Sequence, residues 1–324
     1  MEIPAVQHPS VRFRNGFEIC SGQLVYEDDT AGTEELYMRY GMKVLVTGVS
    51  GQLGYDVCKE LTKRNIEHLG TASKDLDIVD KAAVEALMRE FQPDAVIHCA
   101  AYTKVDLAED EQEKCWAVNV DGTRNVAAAC RELGVKMVYI STDYVFPGTG
   151  EKFYEPTDPV GPVNTYGRSK LAGELVVQSL LEQYFIVRIS WVFGKNGNNF
   201  VKTMLRLAET RTELNVVSDQ IGSPTYTADL APLLCDMVQT EKYGVYHVTN
   251  EGTCSWAEFA KAIFELEGKQ VTVHPIPTSE YPTRAVRPLN SRMSKEQLQE
   301  RGFVCLPRWH NALKRYLKEI TENA

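Results

Sequence analysis

The sequence predicts an α/β fold: a doubly wound, mostly parallel sheet of Rossmann type with a smaller C-terminal substrate lobe. Three observations predict it. From residue 43 onwards, short apolar runs rich in β-branched residues alternate with helical stretches, the pattern of a parallel sheet covered on both faces. The first of these runs leads directly into three glycines, Gly48, Gly51 and Gly54. A tyrosine and a lysine four residues apart, Tyr166 and Lys170, follow a strand that ends in Ser141-Thr142-Asp143.

In chain order, residues 42–47 (MKVLVT) read as the first strand and 53–63 as a helix. Residues 66–71 form the second strand, 82–91 a helix and 95–101 the third strand. Residues 112–133 carry one long helical pattern, followed by the strand KMVYIS. Residues 166–182 are helical, and FIVRIS is the next strand. Beyond Trp191 the pattern loosens into a proline-marked segment, VHPIPTSEYPTRAVRPLN, and a final helix over 309–320. The expected NAD(P)-binding domain is therefore 42–192 with about 217–250, and the substrate lobe is about 193–216 with 251–324. Residues 1–41 stand apart as an extension of unknown role. Their apolar Val11, Phe13, Phe17, Leu24 and Val25 suit a short hairpin or a subunit contact, and Met42 is a second candidate start.

Of the 324 residues, 44% are hydrophobic and 24% charged, which is ordinary for a globular protein. The net charge of −9 opposes approach to nucleic-acid or membrane phosphates. No nucleic-acid or membrane partner is expected, whereas a local pocket for a small phosphate ligand is compatible with this charge. Eight cysteines form no C-x-x-C pair and no zinc spacing, so they read as buried thiols in a reducing compartment. The N-terminus has no apolar h-region, and no run reaches transmembrane length. A cytoplasmic protein is expected.

The glycine loop reads Gly48-Val49-Ser50-Gly51-Gln52-Leu53-Gly54. Between a strand and a helix, glycines at this spacing allow a tight turn, close approach of backbone N–H groups to a pyrophosphate, and use of the helix N-terminus. The second strand ends in GTASKDLD. An acid at the strand end would select the free ribose of NAD; here Thr71, Ser73 and Lys74 stand in its place, and Asp77 comes later. This arrangement favours NADPH and leaves NADH open.

Tyr166 and Lys170 share one helical face. A nearby ammonium is expected to favour the phenolate and lower the Tyr166 pKa, making it a better acid toward a carbonyl oxygen whose carbon accepts hydride. Thr142, at the carboxyl end of its strand where ligands of such sheets sit, can hydrogen-bond the same oxygen.

These residues, with the segments VTGVSGQLG, HCAAYTKVDLAE, NVDGTRNVA, STDYVFPG, PVNTYGRSKLAGE, RISWVFG, NNFVKTML, DQIGSPTYTADLA and RPLNS, make the chain from residue 42 onwards similar to the extended short-chain dehydrogenase/reductase superfamily. Within it, the chain resembles the dTDP-4-dehydrorhamnose reductases of cell-wall polysaccharide synthesis. The resemblance implies hydride transfer from NAD(P)H to C4 of dTDP-4-dehydro-L-rhamnose, with Tyr166 as proton donor, Lys170 on the nicotinamide ribose and Thr142 on the carbonyl. It implies a sugar pocket lined by Tyr102, Val105, Asp143 and Trp191, although Trp191 is equally suited to the core. Ala100 and Ala101 would let the backbone approach the cofactor, alongside Ser50, Gln52 and Leu53 of the glycine loop. Asn199, Arg287 or both would face the diphosphate. Some members bind Mg²⁺ at a dimer interface through glutamates that do not map onto positions here, so no metal ligand is assigned and the chain is read as a monomer or homodimer. A 4,6-dehydratase would carry an Asp-Glu pair where Asp143-Tyr144 stands. The alternatives are another nucleotide-sugar epimerase or reductase, or a regulatory subunit resembling the methionine adenosyltransferase beta subunit.

Overall fold

The computed structural model describes residues 41–322 and the short strands Ile19–Cys20 and Gln23–Leu24. Those two strands pair antiparallel, Ile19 opposite Leu24; the other expectations for 1–41 lie outside the described residues. Residues 1–41 and 42–324 form two separate units.

The body is built on six parallel strands: β1 Lys43–Thr47, β2 Glu67–Thr71, β3 Ala95–His98, β4 Lys136–Thr142, β5 Tyr184–Ile189 and β6 Gly244–His247. Their order across the sheet is β6-β5-β4-β3-β1-β2. Alternate residues feed opposite faces, as the two-residue period of a strand requires. Val44, Val46, Ile97, Val138, Phe185 and Val187 pack on one side, under helices α1 (Gln52–Lys63) and α5 (Thr227–Met237). Leu45, Val96, Met137, Tyr139 and Ile186 pack on the other, under α2 (Lys81–Phe91), α3 (Thr123–Leu133) and α4 (Thr165–Leu180). The strands read as continuous apolar runs because both faces are covered.

Strand order reverses at β1, whose neighbours are β2 and β3. The crossovers through α1 and α2 run in opposite directions along the sheet, so connections of one hand place these helices on opposite faces. The β5–β6 connection is different. It returns through α5 on the α1 face while moving away from β1, and so crosses with the opposite hand to β1–α1–β2. Between β5 and α5 the chain first leaves the sheet to build part of a third cluster. That cluster joins Phe193, Val201, Leu214, Phe259, Trp309 and Tyr316. Leu298, Phe303 and Leu306, from the same C-terminal stretch, pack instead under β5 and β6.

Two elements depart from the sequence reading. The third strand stops at His98 rather than Ala101, because its neighbour β1 ends at Thr47 and the chain beyond is tied down by side chains: the Ala100 N–H donates to Thr47 Oγ1 (3.2 Å), which also meets His98 Nδ1 (2.7 Å). The expected helix over 112–133 is interrupted. A short α-turn, Gln112–Trp116, gives way to a π-turn, Ala117–Gly122, before α3 begins. The wider turn brings Asn119 to a fully buried position, and such insertions occur chiefly at functional sites.

Candidate active site

At the carboxyl ends of the strands, beside the point where their order reverses, lies a cleft of about 650 Å³, where open α/β sheets bind their ligands. Gly48 makes the turn out of β1 with φ of +75°. A Cβ there would sit 2.6 Å from the Ala100 nitrogen, and one on Gly54 2.6 Å from the Gly48 oxygen. The first glycine thus opens the turn against the β3 loop, and the last lets α1 start directly behind it. No side chain caps α1, so its first N–H groups face the cleft with the positive end of the helix dipole. This cradle fits a dinucleotide pyrophosphate.

The cleft gathers nearly every residue singled out in the sequence: Gly48, Ser50, Gly51, Gln52, Leu53, Gly54, Thr71, Ser73, Asp77, Ala100, Ala101, Tyr102, Val105, Thr142, Asp143, Tyr166, Lys170 and Trp191 all line it. Lys74 does not; it is exposed, away from the lining. Asp75 spends its carboxylate on the turn, accepting from the Ala72 N–H at 3.0 Å.

Asn199 and Arg287, the residues expected to face the diphosphate, do not line this cleft. Asn199 lines neither large cavity. It caps the helix Phe200–Leu207, and its amide donates to Gln52 Oε1 (3.0 Å), the Gly194 carbonyl (2.9 Å) and the Tyr316 hydroxyl (2.9 Å). An asparagine just ahead of an apolar helical run is a cap before it is a ligand. Arg287 lines a second cavity of about 1000 Å³, bounded by Phe200, Leu207, Leu214, Gln220 and Trp256 among others. There it donates to the Tyr144 hydroxyl (3.1 Å) and pairs with Asp106. Tyr144 lines both cavities, so the second borders the first. Between them Trp191, with a left-handed φ of +49°, stacks on Trp256 at 3.7 Å between ring centroids. A bulky residue adopts that backbone only when its surroundings hold it there.

Around the reacting position, Thr142 Oγ1 donates to Asp143 Oδ1 (3.0 Å) and accepts from the Tyr144 N–H (3.3 Å), with the Tyr166 side chain beside it. Lys170 Nζ lies 4.1 Å from the Tyr139 ring centroid. Burial pushes the Tyr166 phenol well above its ordinary pKa, and the Asp143 charge adds to this. Burial also lowers Lys170 to about 7, with Glu174 opposing. The expected lowering of the Tyr166 pKa is therefore reversed: desolvation penalises the phenolate, and the cation meant to favour it is itself partly discharged near neutral pH.

Several supporting residues went unrecognised in the sequence. Asn119 accepts from the Tyr102 N–H (2.8 Å) and donates to the Tyr102 carbonyl (3.1 Å) and to Ser169 Oγ (2.9 Å), joining the β3 loop to α4. Glu174 takes a two-pronged bond from Arg188 (2.9 and 2.7 Å) and one from Ser141 (2.5 Å), a buried array beneath Lys170. Ser291 donates to Asp143 Oδ2 at 2.5 Å. The only sequence signal for any of these was the asparagine and glycine inside NVDGT, which weaken a regular helix there. Among the described residues no group of three or more His, Cys, Asp or Glu side chains is placed to hold a metal ion, and no helix is long and apolar enough to cross a membrane.

The family model described as RmlD substrate binding domain matches residues 42–322. The spore coat polysaccharide biosynthesis protein SpsK of Bacillus subtilis is 43% identical over 278 residues, 86% of this chain and 97% of that protein. The dTDP-4-dehydrorhamnose reductase of Sinorhizobium fredii is 39% identical over 285 residues, 85% of this chain and 96% of that protein. Among solved structures, dTDP-4-dehydrorhamnose reductase from Bacillus anthracis in complex with NADP superposes with a TM-score of 0.84 at 46% identity, covering 86% of this chain and all of that one. With a glycine cradle, a Thr-Tyr-Lys cluster and a second cavity shared through Tyr144, the chain belongs to the RmlD substrate-binding-domain family, together with the dTDP-4-dehydrorhamnose reductases.

Proposed function

We infer that this protein is an NAD(P)H-dependent oxidoreductase that reduces the C4 keto group of dTDP-4-dehydro-L-rhamnose to give dTDP-L-rhamnose, with NADPH as the preferred reductant. One observation supports this most: Thr142, Tyr166 and Lys170 line the same cleft as the glycine turn, so a carbonyl held by Thr142 lies beside both a buried phenol and a dinucleotide cradle. A bound nicotinamide dinucleotide supplies hydride to the carbonyl carbon. Tyr166 gives its proton to the carbonyl oxygen, and burial keeps the phenol protonated until that moment. Lys170, in its ammonium form, then balances the phenolate. Arg287 and the second cavity suit the nucleotide diphosphate, a planar guanidinium matching two phosphate oxygens, and Trp191 and Asp143 suit the sugar. On this reading residues 193–216 and 251–324 serve as the substrate lobe.

The test is NADPH consumption, followed by its absorbance, with dTDP-4-dehydrorhamnose generated in the reaction. Stoichiometric consumption is expected. Conversion of the sugar with no net loss of NADPH would make the protein an epimerase and overturn the reading.

The pH profile carries its own expectation. Burial raises Asp143 to about 6 and lowers Lys170 to about 7. Asp143 accepts from a sugar hydroxyl as the carboxylate, which exists above the first value, and Lys170 balances the phenolate as the ammonium, which exists below the second. kcat/KM, which reports the free enzyme, should therefore rise through the region of pH 6 and fall above pH 7. A profile flat across the alkaline side would remove Lys170 from the mechanism.

Preference for NADPH follows from the lack of an acid at the end of β2, where Thr71 and Ser73 line the cleft. Thr71→Asp should weaken NADPH binding roughly tenfold or more by placing a carboxylate against the 2′-phosphate, and leave NADH binding much less affected. Calorimetry with both dinucleotides measures it. Equal losses for the two would show that Thr71 does not face the phosphate.

A further inference from the structure

Asp143 is almost fully buried and holds its carboxylate on two hydroxyls: Thr142 Oγ1 at one oxygen (3.0 Å) and Ser291 Oγ at the other (2.5 Å). Thr142 has a single hydroxyl proton. In the structure that proton is directed to Asp143, yet positioning a carbonyl oxygen beside Tyr166 requires it to point at the substrate. Once it turns, Asp143 loses one of its two side-chain donors and keeps only Ser291 and the nearby backbone N–H groups of Asp143 and Tyr144, and a buried carboxylate that loses a donor protonates more readily.

Ser291 is fixed from every side. Its short strand, Asn290–Ser291, runs parallel to Ile221–Gly222, with Ser291 opposite Gly222. The Asn290 N–H donates to the Gly148 carbonyl (2.9 Å), and its side-chain amide donates to the Lys152 carbonyl (2.8 Å). The neighbouring bonds from the Ser294 N–H to the Tyr154 carbonyl and from the Tyr154 N–H to the Arg292 carbonyl (2.9 Å each) complete the clamp. With its backbone held and its side chain buried, Ser291 keeps its hydroxyl on Asp143 without depending on Thr142.

We propose that Ser291 is a positioning residue for the reduction: it keeps a side-chain donor on Asp143, and so favours its ionised form, when the Thr142 hydroxyl swings from Asp143 to the substrate oxygen. This rests on the reductase reading above, in which Thr142 binds the carbonyl. Of the other side chains facing Asp143, none replaces it. Tyr166 on α4 and Tyr144 in the same turn would both repel its charge if ionised, and Arg287 is engaged with Asp106 and the Tyr144 hydroxyl.

The test combines kinetics with the infrared carboxyl band of Asp143, assigned by its loss in Asp143→Asn. Ser291→Ala should retain NADPH affinity within about twofold, lose about tenfold in kcat, and move both the acid limb of kcat/KM and the Asp143 titration up by about one pH unit, the size of a hydrogen bond to a charged group. Ser291→Thr, which restores the hydroxyl, should bring both back. Ser291→Cys, a weaker donor of similar size, should fall between and serves if the alanine variant does not fold. Asp143 titrating in the alanine or cysteine variant at the wild-type pH would overturn the proposal, even if kcat had fallen. The infrared titration needs no turnover, so a wild-type protein inactive on the nucleotide sugar would overturn the reductase reading separately.

Discussion

Tyr166→Phe is expected to lose between about a hundredfold and ten-thousandfold in kcat, the usual contribution of a positioned general acid, while keeping its fold and its affinity for NADPH. The phenol lines the cleft beside Thr142, and it is the group proposed to deliver a proton at the carbonyl oxygen. Phenylalanine preserves the ring and its edge-to-face contact with Tyr144, whose centroid lies 5.5 Å away, so only the hydroxyl is removed. Turnover within a few-fold of wild type, measured at saturating NADPH, would show that another group supplies the proton.

Gly48→Ala should be the most damaging single-methyl change in the cofactor site. At φ of +75°, the added Cβ would approach the Ala100 nitrogen to 2.6 Å and the Ala100 Cα to 2.7 Å. These are backbone atoms, held by the bond from the Ala100 N–H to Thr47, so relief requires the β3 loop to move out of the cleft. NADPH affinity should fall by more than about tenfold, with a stability loss of about 1–3 kcal/mol from strain in the turn. Gly134→Ala is the control: its φ is +69°, but the methyl would meet nothing within 4 Å. It should cost about 1 kcal/mol of left-handed strain and leave NADPH binding intact. Calorimetry and thermal melts compare the two. Similar NADPH affinities in the two variants would mean that crowding against Ala100 plays no part.

The features legible in the sequence are those that local spacing encodes. The glycine turn, the strand alternation, the strand-end Thr142 and the Tyr166/Lys170 pair each reside within a few residues of chain, and the fold brings them to one cleft. What escaped the sequence is non-local. Ser291 meets Asp143 across 148 positions, and Asn119 meets Ser169 across 50; only the fold brings such pairs together. The π-turn that delivers Asn119 interrupts an otherwise good helical pattern. Asn199 caps a helix, and a cap and a phosphate ligand use the same side chain at a helix start, so spacing alone does not separate the two roles. The direction of the Tyr166 shift was misjudged because burial outweighs the neighbouring cation, and the depth of burial cannot be read from a four-residue spacing.

The most direct test of the reductase reading is the fate of a deuterium label. With NADPH deuterated on the transferred face of the nicotinamide and dTDP-4-dehydrorhamnose as substrate, one deuterium is expected at C4 of the product sugar, seen by NMR, with one dinucleotide oxidised per sugar reduced. Label absent from C4, or sugar converted while the dinucleotide pool stays reduced, would contradict that reading.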